Sequence, residues 1–171
     1  GARDMERPAL SAILALGAFA TVAAQHGGSP HDAHHAAVDA RGARVMGFDQ
    51  TRTSHHFRLY QDGGAIDVSA NDPDDAGSRE AIRRHLAHIA TLFAAGRFDA
   101  PMLVHDTNVH GTDDLARLQT VVTWRYVETP GGGRIDIVTT QPDAITAVHR
   151  FLAFQIADHR TADDAVVVRR P

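Results

Sequence analysis

The sequence is 171 residues long, 43% hydrophobic and free of cysteine, which is enough to bury one proper core and excludes a disulfide framework. A formal net charge of −4 and a pI near 6.3 argue against a nucleic-acid or anionic-membrane partner. Twelve histidines are the compositional outlier, and with no cysteine any soft-metal ligand must be His or Met.

Residues 1–24 read as an export signal rather than as fold. Arg3 and Arg7 precede the apolar run "PALSAILALGAFATVAA", with Val22 and Ala24 at the small-residue positions before a cleavage point, and Met5 is a candidate start. The run approaches the length of a spanning helix, so an uncleaved anchor is the alternative. Cleavage is favoured because no basic flank follows. The expected location is a bacterial periplasm or the secreted fraction, with no stable membrane association once the signal is removed.

Residues 25–42, "QHGGSPHDAHHAAVDARG", are polar, small and histidine-rich. They predict a flexible linker, disordered in its first half, with a short helix over residues 36–46. His26, His31, His34 and His35 lie close enough in sequence to bind Cu(II) or zinc weakly whatever the fold does. Residues 43–161 predict a single domain and residues 162–171 a C-terminal tail.

The domain contains an internal likeness. "GGAIDVSANDPDD" at residues 63–75 and "GGRIDIVTTQPDA" at residues 132–144 share the frame G-G-x-I-D-[VI]-x4-P-D at a constant offset of 69. A β-like segment precedes each copy and an amphipathic helix follows each. Gly63-Gly64 and Gly131 to Gly133 are expected to supply the positive-φ positions of hairpin turns. Ser78 and the Thr140-x-x-Asp143 box are expected to cap the helices. Phe57 and Leu59, Ile66 and Val68, Val122, Trp124 and Tyr126, and Ile135 and Ile137 each share a strand face by alternation. The prediction is an α+β fold: two ββα repeats (ββαββα) forming a four-stranded antiparallel sheet with two helices on one face. A long connection, "GRFDAPMLVHDTNVHGTDDLARL", joins the halves, and connections of that length are often functional.

The histidines carry the functional reading. His55 and His56 are neighbours on a strand, so they face opposite sides, His55 with Phe57 inward and His56 outward. His85 lies at the edge of the apolar stripe Ile82, Leu86, Ile89, Phe93, with His88 one turn on. His149 lies within the stripe Ile145, Leu152, Ile156. It corresponds to His85 once five extra residues in the first copy are allowed. His159 is about 15 Å farther along the helix and cannot share an ion with His149. It reads as a charged helix end interacting with the dipole. Met102 and His105 come from the long connection. Asp67 and Asp136 face away from the core and read as surface strand carboxylates. Neither "GGSP" nor "PGGGR" fits a phosphate loop, and Ser54 beside His55 is not a nucleophile–base pair.

The pattern "VMGFDQTRTSHHF … HLAHIATLF … FDAPMLVHD … GGGRIDIVTT … AVHRFLAFQIADHRT" resembles a family of small exported bacterial proteins of uncharacterised function, over residues 43–161. The resemblance implies no mechanism and no catalytic residues. Some members are labelled aspartate carbamoyltransferase, and "TRTS" at residues 51–54 echoes that enzyme's phosphate loop. That assignment is set aside: the chain is about half the needed length, has one small domain in place of two α/β domains, and is exported away from carbamoyl phosphate.

The leading expectation is a periplasmic metal-binding protein for copper handling or tolerance, its partner a metal ion. His55, His85 and His149 are the main ligands, with His88, Met102 and His105 nearby; zinc is an alternative ion, and non-covalent haem iron between His85 and His149 another. A metal site requires His55, His85 and His149 to converge within about 5 Å of one point. The alternative is a non-metal structural or small-ligand-binding module with buried histidines. A metalloenzyme is the third reading, and no feature identifies a substrate.

Overall fold

The computed structural model describes residues 30–171. The expected export signal and residues 25–29 lie outside the described residues. In chain order the elements are α1 (Pro30–Met46), a 3-10 turn (Gln50–Arg52), β1 (Thr53–Tyr60), β2 (Gly63–Ala70), α2 (Ala76–Ala94), α3 (Asp99–His105), α4 (Thr112–Arg117), a second 3-10 turn (Gln119–Val121), β3 (Thr123–Thr129), β4 (Gly132–Val138), α5 (Pro142–His159) and β5 (Val167–Val168). The helix α1 begins at Pro30 and not within the expected 36–46, so residues 30–42 are helical rather than a flexible linker. Among the described residues no helix is long and apolar enough to cross a membrane.

The protein is α+β, with a five-stranded mixed sheet in the order β3-β4-β2-β1-β5. The strands β1 to β4 form the expected antiparallel set. The four-stranded expectation is corrected by the C-terminal tail, whose Val167 and Val168 pair parallel with Leu59 and Tyr60. The Arg170 guanidinium fixes that tail. It donates to Asp62 and Asp136 and to the carbonyls of Gly64 and Ile137, and lies 4.4 Å over the Tyr60 ring. Asp136 is therefore not a surface carboxylate. It is buried beneath Arg125, Arg134 and Arg170, and the hydrogen bonds from Arg134 and Arg125 outweigh burial and hold its carboxyl below the usual range.

The two hairpins share one register. Shifting the β1–β2 ladder by 69 places turns His55↔Val68 into Trp124↔Ile137 and Phe57↔Ile66 into Tyr126↔Ile135, both of which are formed. The central pairing of β2 with β4 sets Ile66 opposite Ile135, themselves related by that shift. Each helix crosses to the other hairpin: α2 packs on β3 and β4, and α5 on β1 and β2. Leu152 of α5 lies over Gly64, where a Cβ would meet its Cδ1 at 2.2 Å. Gly63 supplies the expected positive φ, at 132°, but Gly131 to Gly133 do not. Two caps also differ. Asp75, not Ser78, caps α2 by accepting from the Ser78 N–H, and α5 starts from Gln141 with Pro142 in its first turn and no side-chain cap.

Candidate functional site

Alternation along the strands sends His55, Phe57, Ile66, Val68, Trp124, Ile135 and Ile137 to the face that the helices cover, and this face is the core. At one end of that layer polar side chains join the apolar ones. A cavity of about 70 Å³ lies there, bounded by His55 of β1, His85 of α2, His105 of α3, and Gln155 and His159 of α5, with Met46 and Phe48 after α1. The His55 and His159 rings are stacked with centroids 5.5 Å apart and planes within 10°. His105 meets His159 edge-on at 4.9 Å, and Phe48 lies 5.7 Å from His85.

Three of these imidazoles are neutral at pH 7. Burial, reinforced by neighbouring His85 and His56, pushes His55 down to about 4. Burial and His88 push His85 to about 4, and burial with His55 and His105 pushes His159 to about 3. His105, 2% exposed, is different. Its Nδ1 is hydrogen-bonded to Asp158, and its Nε2 lies 3.0 Å from Gln155 Oε1. Asp158 also accepts from His34 Nε2 at 3.0 Å, and its backbone carbonyl accepts from His35 Nδ1 at 3.1 Å. Burial opposes ionisation of Asp158, but the hydrogen bonds from His34 and His105 hold its carboxyl below the usual range.

Two buried nitrogens at this cavity have no partner among the described residues: His55 Nε2 and Gln155 Nε2. The His55 side chain is partly exposed, yet Nε2 itself is enclosed, and Gln155 is 5% exposed. Leaving such a group unpaired costs about 1–3 kcal/mol.

Of the expected ligands, the structure brings His55, His85 and His105 to one cavity and leaves out His149, His88 and Met102. His149 donates from Nε2 to the carbonyls of Tyr60 and Gly63, at 2.8 and 3.1 Å, and clamps the end of the first hairpin. His149 is thus committed to the hairpin and does not line the cavity that His85 lines. His88 and Met102 are exposed. Among the described residues, no group of three or more His, Asp or Glu side chains is placed to hold a metal ion. His56 faces outward as expected, where it pairs with Asp163 at 2.9 Å and docks the tail.

Gln155 is the residue that sequence reasoning missed, and His159, read there as a charged helix end, instead lines the cavity as a buried ring. The buried stripe of α5 runs through Ala144, Ala147, Val148, Phe151, Leu152 and Gln155, one position away from the expected Ile145–Leu152–Ile156 stripe. The signal that finds it is the four-residue step Phe151, Gln155, His159 along one helix face.

The alignment of the two helices needs the same correction. Arg83 donates to the carbonyls of Thr129 and Gly132, at 3.0 and 3.3 Å, which are the residues 69 places beyond Tyr60 and Gly63. His149 thus corresponds to Arg83, and the helices match at an offset of 66. His85 then corresponds to Phe151, Ile89 to Gln155, Phe93 to His159 and, by the strand offset, His55 to Trp124. The distances agree. Phe93 and Trp124 are 5.0 Å apart, as His55 and His159 are 5.5 Å apart. At one of the two equivalent places, where β3 meets α2 and α5, Trp124, Phe93, Phe151 and Ile89 form an apolar cluster; at the other, where β1 meets α5 and α2, His55, His159, His85 and Gln155 stand instead.

No family model matches this chain, and neither the curated proteins nor the solved structures contain a match.

Proposed function

We propose that this chain is a small-ligand-binding protein and that the cavity walled by His55, His85, His159 and Gln155 is its site. One observation carries the reading. The fold fills the four equivalent positions, contributed by both units, with Trp124, Phe151, Phe93 and Ile89, so packing alone does not require polar groups here. Two of the polar groups remain without partners in the described chain, which disfavours a purely structural role. The two hairpin-plus-helix units are, in this reading, copies of one unit, and each contributes two residues to the cavity, His55 and His85 from the first and Gln155 and His159 from the second. The test is a thermal-unfolding screen of small compounds against the wild type and a His85→Phe, His159→Phe variant. Compounds that stabilise only the wild type support the reading. A broad screen in which no compound distinguishes the two proteins contradicts it.

The second reading is a copper(I) ion at the same place. It is favoured by the neutral, apolar-shelled imidazoles of His55 and His159, since the neutral ring is the form that ligates a soft ion. It requires the rings to turn from their stacked arrangement toward a common point. Anaerobic Cu(I) titration, with zinc as comparison, checks it: stoichiometric uptake lost in His55→Phe supports the ion, and no uptake removes it. Export to the periplasm belongs to the same proposal and is checked by the N-terminal sequence of the mature protein, expected to begin after Ala24.

A further inference from the structure

Asp158, His105 and Gln155 form a hydrogen-bonded chain at the cavity wall. Asp158 is bonded to His105 Nδ1, and Gln155 Oε1 lies 3.0 Å from His105 Nε2. The amide oxygen is thereby occupied, and the NH₂ group is left, buried and without a protein partner, at the cavity wall. A donor polarised along such a chain is stronger than an isolated one. Across the cavity lies His55 Nε2, equally without a partner.

We infer that the ligand is a small uncharged molecule with an oxygen acceptor, a carbonyl or hydroxyl compound, whose oxygen accepts from Gln155 Nε2 beside His55. This inference rests on the reading of the cavity as a ligand site. Three features carry it. The first is size: an apolar cavity of about 150 Å³ takes benzene, so one of about 70 Å³ takes about three or four heavy atoms. The second is charge. The rings of His55, His85 and His159 face the space uncharged, and the Asp158 carboxylate is already hydrogen-bonded to His105 and His34. A carboxylate or ammonium ligand would lose its hydration with no opposite charge left to receive it. The third is the pair of unpartnered nitrogens: a buried amide N–H is satisfied by an acceptor, and His55 Nε2, on a different element, lines the same cavity without a partner.

Four probes of one skeleton size test this: acetone, acetate, acetamidinium and isobutene. Each is titrated into the isotopically labelled full chain while the Gln155 side-chain amide and the His55 ring nitrogens are followed by NMR. The expected result is a saturable shift of both signals with acetone and none with acetate or acetamidinium. Gln155→Glu keeps an oxygen for His105 and removes the donor, and it weakens acetone about tenfold, the worth of one hydrogen bond. His55→Phe fills the cavity with a ring of the kind already at Phe57 and abolishes the shift of the Gln155 amide. Preference for acetamidinium, or equal effects of isobutene and acetone, overturns the acceptor assignment and leaves the cavity a ligand site. No shift with any of the four overturns both, and the cavity then holds ordered water only.

Discussion

His149 and Arg83 make the same contact on opposite hairpins. Each reaches from its helix to the two carbonyls that close a β-turn, His149 to Tyr60 and Gly63, Arg83 to Thr129 and Gly132. A histidine that seemed a metal ligand by its place in a helix is a positional counterpart of an arginine, and its task is to hold a helix to a sheet. This relationship also sets the alignment that exposes the histidine cluster.

The clamp predicts that His149→Ala lowers stability by about 1–3 kcal/mol, because two carbonyls lose their donor. Occupancy of the cavity is expected to be unchanged, since His149 lies outside it. Denaturant unfolding and a binding titration measured together check both parts. His149→Arg, copying the other half, is expected to recover part of the loss.

Acid is expected to unfold the protein early. The unfolded chain protonates its histidines near 6.5, while His55 and His85 resist until about 4 and His159 until about 3. Between those values the unfolded state binds more protons, so stability falls as pH drops. Each ring contributes up to about 1.4 kcal/mol per pH unit in that window. Unfolding free energies measured from pH 7 down to pH 4.5 are expected to decline steeply, and His85→Phe with His159→Phe is expected to flatten the slope. A flat wild-type profile over this range would contradict neutral, buried rings.

The tail is expected to depend on Arg170. Replacing it by Ala removes its bonds to Asp62, Asp136 and the Gly64 and Ile137 carbonyls, and leaves Asp136 with only Arg125 and Arg134. The amide of Gln61, which donates to Val168, should then exchange with solvent faster than in the wild type. Unchanged exchange there would mean that β5 is held by its two strand pairs alone.

Much of the fold was legible because period-2 alternation and the G-G-x-I-D frame are local signals. The hairpins, both long helices and the inward face of His55 follow from them. What was not legible depends on distant contacts. The tail joins the sheet because Arg170 finds carbonyls and carboxylates from β2, β4 and the β1–β2 turn, and no local pattern records that. The short helix α3 and the clasp of His34, His35 and His105 around Asp158 likewise join residues more than fifty positions apart. Matching His85 with His149 went wrong by two residues because the helices were aligned by counting an insertion. Only the carbonyls that Arg83 and His149 share set the alignment. Gln155 was passed over, and His159 was read as a helix end, because the apolar stripe was read from the isoleucines, which proved half-buried.

The central claim is that the polar cluster serves binding where packing alone would favour hydrocarbon, and the core-exchange variant tests it most directly. Unfolding free energy is measured for the wild type and for His85→Phe with His159→Phe, at neutral pH, with and without acetone. The account predicts a variant more stable than the wild type by about 1–2 kcal/mol, since buried polar groups give way to rings like Phe151 and Phe93, and insensitive to acetone. A variant that is less stable, beside a wild type that acetone leaves unchanged, would show that the histidines are there to hold the core together.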